Sequence, residues 1–151
     1  MSTIEGTAAH PFSLPASGNR TVSSEALKGH PYVLYFYPKA DTSGCTKEAQ
    51  AFQSLLASFR KKGVEIIGVS RDPVKALDKF ATKYGLEFPL ASDDKGELTG
   101  AYGVWVEKSM YGRKYMGIER STVLVGADGI IAKAWPKVKI DGHAEEVLSA
   151  V

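Results

Sequence analysis

The chain has 151 residues and a mass of 16.3 kDa, enough for one buried core and too little for two, so a single domain over residues 1–151 is expected. With 44% apolar and 24% charged residues it falls among ordinary folded domains, which excludes disorder, collagen and coiled coil. The 19 basic and 17 acidic residues are interspersed and leave a net charge of +2, too weak a bias to imply nucleic acid or a membrane surface. No stretch approaches the ~20 apolar residues of a membrane span. Met1 to Gly6 has neither a basic start nor an apolar run, so a cytoplasmic location is expected.

The predicted elements alternate along the chain. Pro11 to Ser24, with its Pro, Gly and Ser, has room for a short N-terminal hairpin. Tyr32 to Tyr37 is a continuous aromatic and β-branched run, the pattern of a central strand covered on both faces. Phe52, Leu55, Leu56 and Phe59 recur at helical spacing, which predicts a helix from near Ser43 to a stop at Gly63. Val64 to Val69 reads as a second buried strand. Asp72-Pro73 then supplies an N-cap and a first-turn proline for an amphipathic helix that ends at Gly85.

A short strand over Phe88 to Ala91 and a short helix from about Asp94 to Tyr102 follow, and Gly103 to Glu119 reads as irregular. Thr122 to Val125 and Ile130 to Trp135 flank Gly126-Ala127-Asp128-Gly129, the composition of a hairpin turn. A last helix starts near Asp141. This order predicts a central mixed sheet with helices on both faces, compatible with a thioredoxin-like α/β fold.

The single cysteine, Cys45, excludes an intrachain disulfide and a cysteine-rich zinc site. His10, His30 and His143 show no metal-ligand spacing, and no phosphate-binding or dinucleotide-binding glycine loop is present. Cys45 falls where the strand ending at Pro38 turns into the next helix. There, unpaired backbone N–H groups and the helix dipole favour the reactive thiolate. A small buried hydrophobe is the other reading of Cys45. Thr42, three residues earlier, suits a helix cap, and its hydroxyl also lies within one turn of the sulfur; the two roles are compatible.

Pro38-x-x-x-Thr42-x-x-Cys45 resembles the active-site signature of the peroxiredoxins. Tyr35-Phe36-Tyr37-Pro38-Lys39 and Gly44-Cys45-Thr46-Lys47-Glu48-Ala49 are similar to the bacterioferritin comigratory protein, or peroxiredoxin Q, subfamily. So are Tyr102-Gly103-Val104-Trp105, Lys108 to Arg113 and Gly117-Ile118-Glu119-Arg120-Ser121-Thr122, which extends the likeness from about Pro11 to the last helix. The resemblance implies a thioredoxin-like fold and reduction of hydrogen peroxide or organic hydroperoxides without metal, flavin or haem.

It also implies the site residues. Cys45 is the expected peroxidatic cysteine, passing through a sulfenic acid. Thr42 orients the peroxide, Pro38 shields the sulfur, and Arg120 stabilises the thiolate and the charge of the breaking O–O bond. Members of the subfamily carry a resolving cysteine at the positions of Gln50 or Ala81. Whether its absence is natural or introduced, neither residue can resolve here. The sulfenic acid then needs an external thiol reductant, thioredoxin, glutaredoxin or glutathione, through a mixed disulfide. Ser43 stands where proline is usual. The likeness also leans toward a monomer.

Other functions fit the residues less well. A thiol–disulfide oxidoreductase needs a second cysteine where Glu48 stands. A cysteine hydrolase needs His143 as base and Asp141 as orienter, although Asp141 suits a cap. A binding module using the basic and aromatic segment 108–115 is the non-enzymatic alternative; its aromatics are expected to pack inward. Met110, Met116, Trp105 and Trp135 are read as core packing.

Overall fold

The computed structural model describes residues 4–151. Nine strands and four helices follow in the order β1 (Ser13–Ala16), β2 (Arg20–Ser23), β3 (Tyr32–Phe36), α1 (Ser43–Lys61), β4 (Glu65–Ser70), α2 (Val74–Tyr84), β5 (Leu90–Ser92), α3 (Glu97–Ala101), β6 (Trp105–Met110), β7 (Arg113–Ile118), β8 (Ser121–Val125), β9 (Ile131–Trp135) and α4 (His143–Ser149). Seven strands form one mixed sheet in the order β2-β1-β5-β4-β3-β8-β9. The β3, β4 and β5 pairings are parallel, whereas β1–β2, β1–β5, β3–β8 and β8–β9 are antiparallel.

Strand β3 lies inside the sheet, between β4 and β8, because all five of its residues are apolar enough to be covered on both sides. Val33, Tyr35 and Tyr37 point into a core with the inner faces of α1, α2 and α4. Tyr32, Leu34 and Phe36 point into a second core with Leu98 of α3, Phe12, Val104 and Ile118. The two sets alternate along one strand, as the pleat requires. Gly68 of β4 is needed beside β3, since a Cβ there would stand 2.9 Å from the Tyr35 hydroxyl and from Leu90 Cδ2.

Several expectations are corrected. Residues 103–119 are not irregular: β6 and β7 pair antiparallel from Trp105↔Ile118 to Met110↔Arg113 in a separate two-stranded sheet. Trp105 packs against the second core as expected, but Tyr111 and Tyr115 do not pack inward and Met110 and Met116 do not join the core. Tyr111 at the tip is 98% exposed, and Met110, Tyr115 and Met116 are exposed with it. Asp72 does not cap α2, whose N-cap is Pro73. The Asp72 carboxylate is instead committed to the loop before α1, where it accepts from the Ala40 N–H and from the Ser70 hydroxyl, both at 2.8 Å. Asp141 likewise yields the α4 N-cap position to Gly142.

Candidate active site

Helix α1 presents Cys45, Glu48, Ala49, Phe52, Leu56 and Phe59 along one buried stripe. Cys45 and Glu48 are three residues apart, so they share that face one turn from each other. Each is only 1% exposed. Thr42 occupies the N-cap with extended backbone (φ −89°, ψ 157°), and its carbonyl accepts the Thr46 N–H at 2.8 Å. Its hydroxyl makes no capping bond and donates to the Lys39 carbonyl at 2.8 Å. Pro38 is half-buried at the end of β3, and Thr42 is exposed.

Arg120 comes from the link between β7 and β8. Its backbone carbonyl accepts the Val138 N–H at 2.8 Å, which fixes the link against the segment after β9. The guanidinium forks: Nη2 donates to Cys45 Sγ at 3.3 Å, and Nη1 donates to Glu48 Oε1 at 2.6 Å. One cation thus serves two potential anions. Burial works against the charge on Arg120, but Glu48 and Cys45 outweigh it and hold the guanidinium more firmly cationic than usual. Burial pushes the Glu48 carboxyl up to about 7 in spite of the opposing pull of Arg120.

Residues 75 positions apart meet here because Gly44 leaves room. A Cβ at Gly44 would stand 3.3 Å from Arg120 Nη2 and 3.2 Å from Ile140 Cδ1. The loop carrying Pro38 and Thr42 is held at two points. Asp72 takes the Ala40 N–H, and the Asp41 carboxylate takes the Tyr84 hydroxyl at 2.8 Å and Lys83 Nζ at 3.0 Å. Those hydrogen bonds from Tyr84 and Lys83 hold the Asp41 carboxyl below its usual range.

The structure therefore brings Cys45 and Arg120 into contact, with Thr42 at the helix start and Pro38 on the strand end. Glu48 is a neighbour to which sequence reasoning gave no role in the site, and Asp72, read as a cap, instead holds the loop before α1. A carboxylate at helical spacing within an apolar stripe was the available signal for Glu48. His143 does not face Cys45; its Nε2 bonds Thr122 Oγ1 at 2.8 Å, its ring stacks edge-on to Phe52 and Trp135, and burial lowers its pKa. The base–nucleophile contact that a cysteine hydrolase requires is absent among the described residues.

The model of the AhpC/TSA family matches residues 6–134. The chain belongs to that family. It is a peroxiredoxin, a peroxidase on a thioredoxin-like fold. Peroxiredoxin Bcp of Xanthomonas campestris is 49% identical over 142 residues, which cover 93% of this chain and 89% of that one. Putative peroxiredoxin bcp of Coxiella burnetii is 47% identical over 148 residues and 98% of either chain. A cysteine-to-serine mutant of X. campestris peroxiredoxin Q superposes with a TM-score of 0.87 at 48% identity, over 92% of this chain and 88% of that one. The alkyl peroxide reduction activity of X. campestris bacterioferritin comigratory protein is the subject of another structure, which superposes with a TM-score of 0.87 at 47% identity over the same shares. Among the described residues of this peroxiredoxin, no helix is long and apolar enough to cross a membrane.

Proposed function

We propose that this peroxiredoxin reduces hydrogen peroxide and alkyl hydroperoxides through Cys45 and regains its thiol from an external reductant. The observation that carries this is the 3.3 Å contact from Arg120 Nη2 to Cys45 Sγ, a fixed cation on the sulfur of the chain's single cysteine. The thiolate attacks one peroxide oxygen; an S–O bond forms, the O–O bond breaks, and the leaving oxygen takes a proton to become water or alcohol. Sulfur ends as a sulfenic acid. Arg120 stabilises the charge that builds on the breaking bond.

Thr42 has committed its hydroxyl proton to Lys39, which leaves its oxygen lone pairs free to accept from the peroxide O–H. Pro38, with no N–H, walls the sulfur without offering a competing donor. With no second cysteine, the sulfenic acid condenses with an external thiol, releasing water, and a second thiol then frees Cys45. Thioredoxin, glutaredoxin and glutathione are the reductants of suitable chemistry. Cys45 is 1% exposed, so a protein thiol reaches it only after the first turn of α1 opens. A monomeric state rests on the family likeness, and a cytoplasmic location is proposed with it.

Stopped-flow mixing of the reduced protein with hydrogen peroxide, followed by Trp fluorescence and intact mass, tests the proposal. Oxidation far faster than that of a free thiol, adding one oxygen to the wild type and none to Cys45→Ser, is the expected result. A rate no faster than free cysteine would overturn it.

A further inference from the structure

The mechanism above leaves two things unused: a buried carboxyl, and the source of the proton that the leaving oxygen takes. Glu48 Oε1 is tied to Arg120, but its Oε2 is buried without a hydrogen-bond partner, and the hydroxyls of Tyr35 and Tyr37 are buried and unpartnered as well. A carboxylate in that position would be a buried anion with one oxygen unsatisfied. A protonated carboxyl would not, and Oε2 is where the proton would sit.

Charge counting reaches the same point. Arg120 brings one positive charge to a pocket with two ionisable partners, Cys45 and Glu48. If the carboxyl is ionised, the guanidinium is already neutralised and a thiolate beside it is an unpaired buried charge. If the carboxyl holds a proton, the whole charge of Arg120 serves the sulfur.

Among the described residues, no cation other than Arg120 acts on Glu48, and one further cation, Lys108, faces Cys45. Tyr35 of β3 and Tyr37 just after it face Glu48 as hydroxyls that burial holds neutral. Lys108 from β6, half-buried, faces Cys45 as well as Arg120 and Glu119; His143 from α4 acts on Arg120 from outside the pair, and Asp72 faces Tyr37. Arg120 is the charged group that acts on Glu48 itself.

We infer that Glu48 is a positioning and proton-holding partner of Cys45, the two exchanging a single negative charge beside Arg120 during each peroxide reduction. The step balances. Cys45 thiolate, Glu48 carboxylic acid and a hydroperoxide give Cys45 sulfenic acid, Glu48 carboxylate and water or alcohol. Sulfur loses two electrons to the peroxide, the attacked oxygen keeps its hydrogen as S–OH, and the carboxyl proton ends on the leaving oxygen. The pocket carries one negative charge before and after, so the reaction develops no unpaired buried charge. The inference rests on Cys45 being the nucleophile.

The test is an infrared difference spectrum, oxidised minus reduced, taken near neutral pH on the whole protein after one equivalent of hydrogen peroxide, with intact mass run in parallel. In the wild type a protonated-carboxyl band is expected to vanish and carboxylate bands to grow; both changes are lost in Glu48→Gln and shifted in Glu48→Asp. A pH-indicator dye reads the same exchange. The wild type is expected to take up close to no protons from solvent per peroxide, and Glu48→Gln about one, because its thiolate no longer has a proton partner. One oxygen on Cys45 with a silent carboxyl region and equal proton uptake would overturn the exchange while leaving the nucleophile in place. No oxygen on Cys45 would overturn the nucleophile first. The wild-type spectrum alone decides the matter if neither variant folds.

Discussion

Gly44 is the residue on which the contact between Arg120 and Cys45 depends most directly. Alanine is intrinsically better than glycine inside a helix by roughly 0.5–1 kcal/mol, so helix preference alone favours Gly44→Ala. Space opposes it, because the new methyl would meet Arg120 Nη2 at 3.3 Å and Ile140 Cδ1 at 3.2 Å. The guanidinium has little freedom to yield, being held to Glu48 at 2.6 Å. The expected outcome is a variant with an unchanged or higher melting temperature and a peroxide oxidation rate lower by about tenfold. Thermal unfolding and stopped-flow oxidation on one sample check this; equal loss of both would make Gly44 a packing residue only. Glu48 and Gly44 show what a motif does not reveal. Cys45, Thr42, Pro38 and Arg120 were named through family likeness, whereas the use of Glu48 depends on a residue 72 positions away that no local pattern announces.

At the level of elements, legibility followed coverage. Strand β3 and helix α1 were read close to their observed spans because one is covered on both faces and the other on a single apolar stripe. The β6–β7 hairpin was missed because it pairs only with itself and stands largely exposed, so neither strand needs a clean alternation. Its turn is also atypical: Tyr111 and Gly112 both have positive φ (53° and 78°), where Asn-Gly is the usual pair. A bulky aromatic in that conformation, 98% exposed, gains no burial in return for its backbone strain. Tyr111→Asn is expected to stabilise the fold by about 1 kcal/mol and leave peroxide oxidation unchanged, as urea unfolding and stopped-flow oxidation would read.

In the proposed cycle, the loop before α1 bears on the reductive half. Asp41, at φ 61°, ties it to Lys83 and Tyr84 of α2, and the first turn of α1 must loosen before an external thiol reaches Cys45. Asn tolerates the same backbone conformation and lacks the charge. Asp41→Asn should therefore speed reduction of the preformed sulfenic acid by about threefold in single-turnover mixing with a thiol, with little change in the oxidation step. A slower reductive step would mean that the clamp aligns the site for the thiol rather than closing it.

For the whole molecule, the site joins parts of the chain that meet only once the sheet is complete. Cys45 and Glu48 belong to α1, while Arg120 is delivered by the link that leads into β8, the strand antiparallel to β3. The protonation of Glu48 is thus a property of the folded protein, and it makes global stability depend on pH with a definite sign. The carboxyl has an ordinary value of 4.5 and a folded value of about 7, so between these limits the native state holds a proton that the unfolded chain has released. Stability then falls as pH rises. Below about 4.5 the group contributes no slope; above about 7 the loss is complete, at about 3 kcal/mol. The comparison belongs in a Cys45→Ser background, where the thiol does not titrate. There, Glu48→Gln should gain stability relative to its parent by that amount between about pH 5 and about pH 8, read from urea midpoints at the two values. An equal difference at both would mean that Glu48 is already ionised at the lower pH, with the Arg120 pairing having cancelled the cost of its burial.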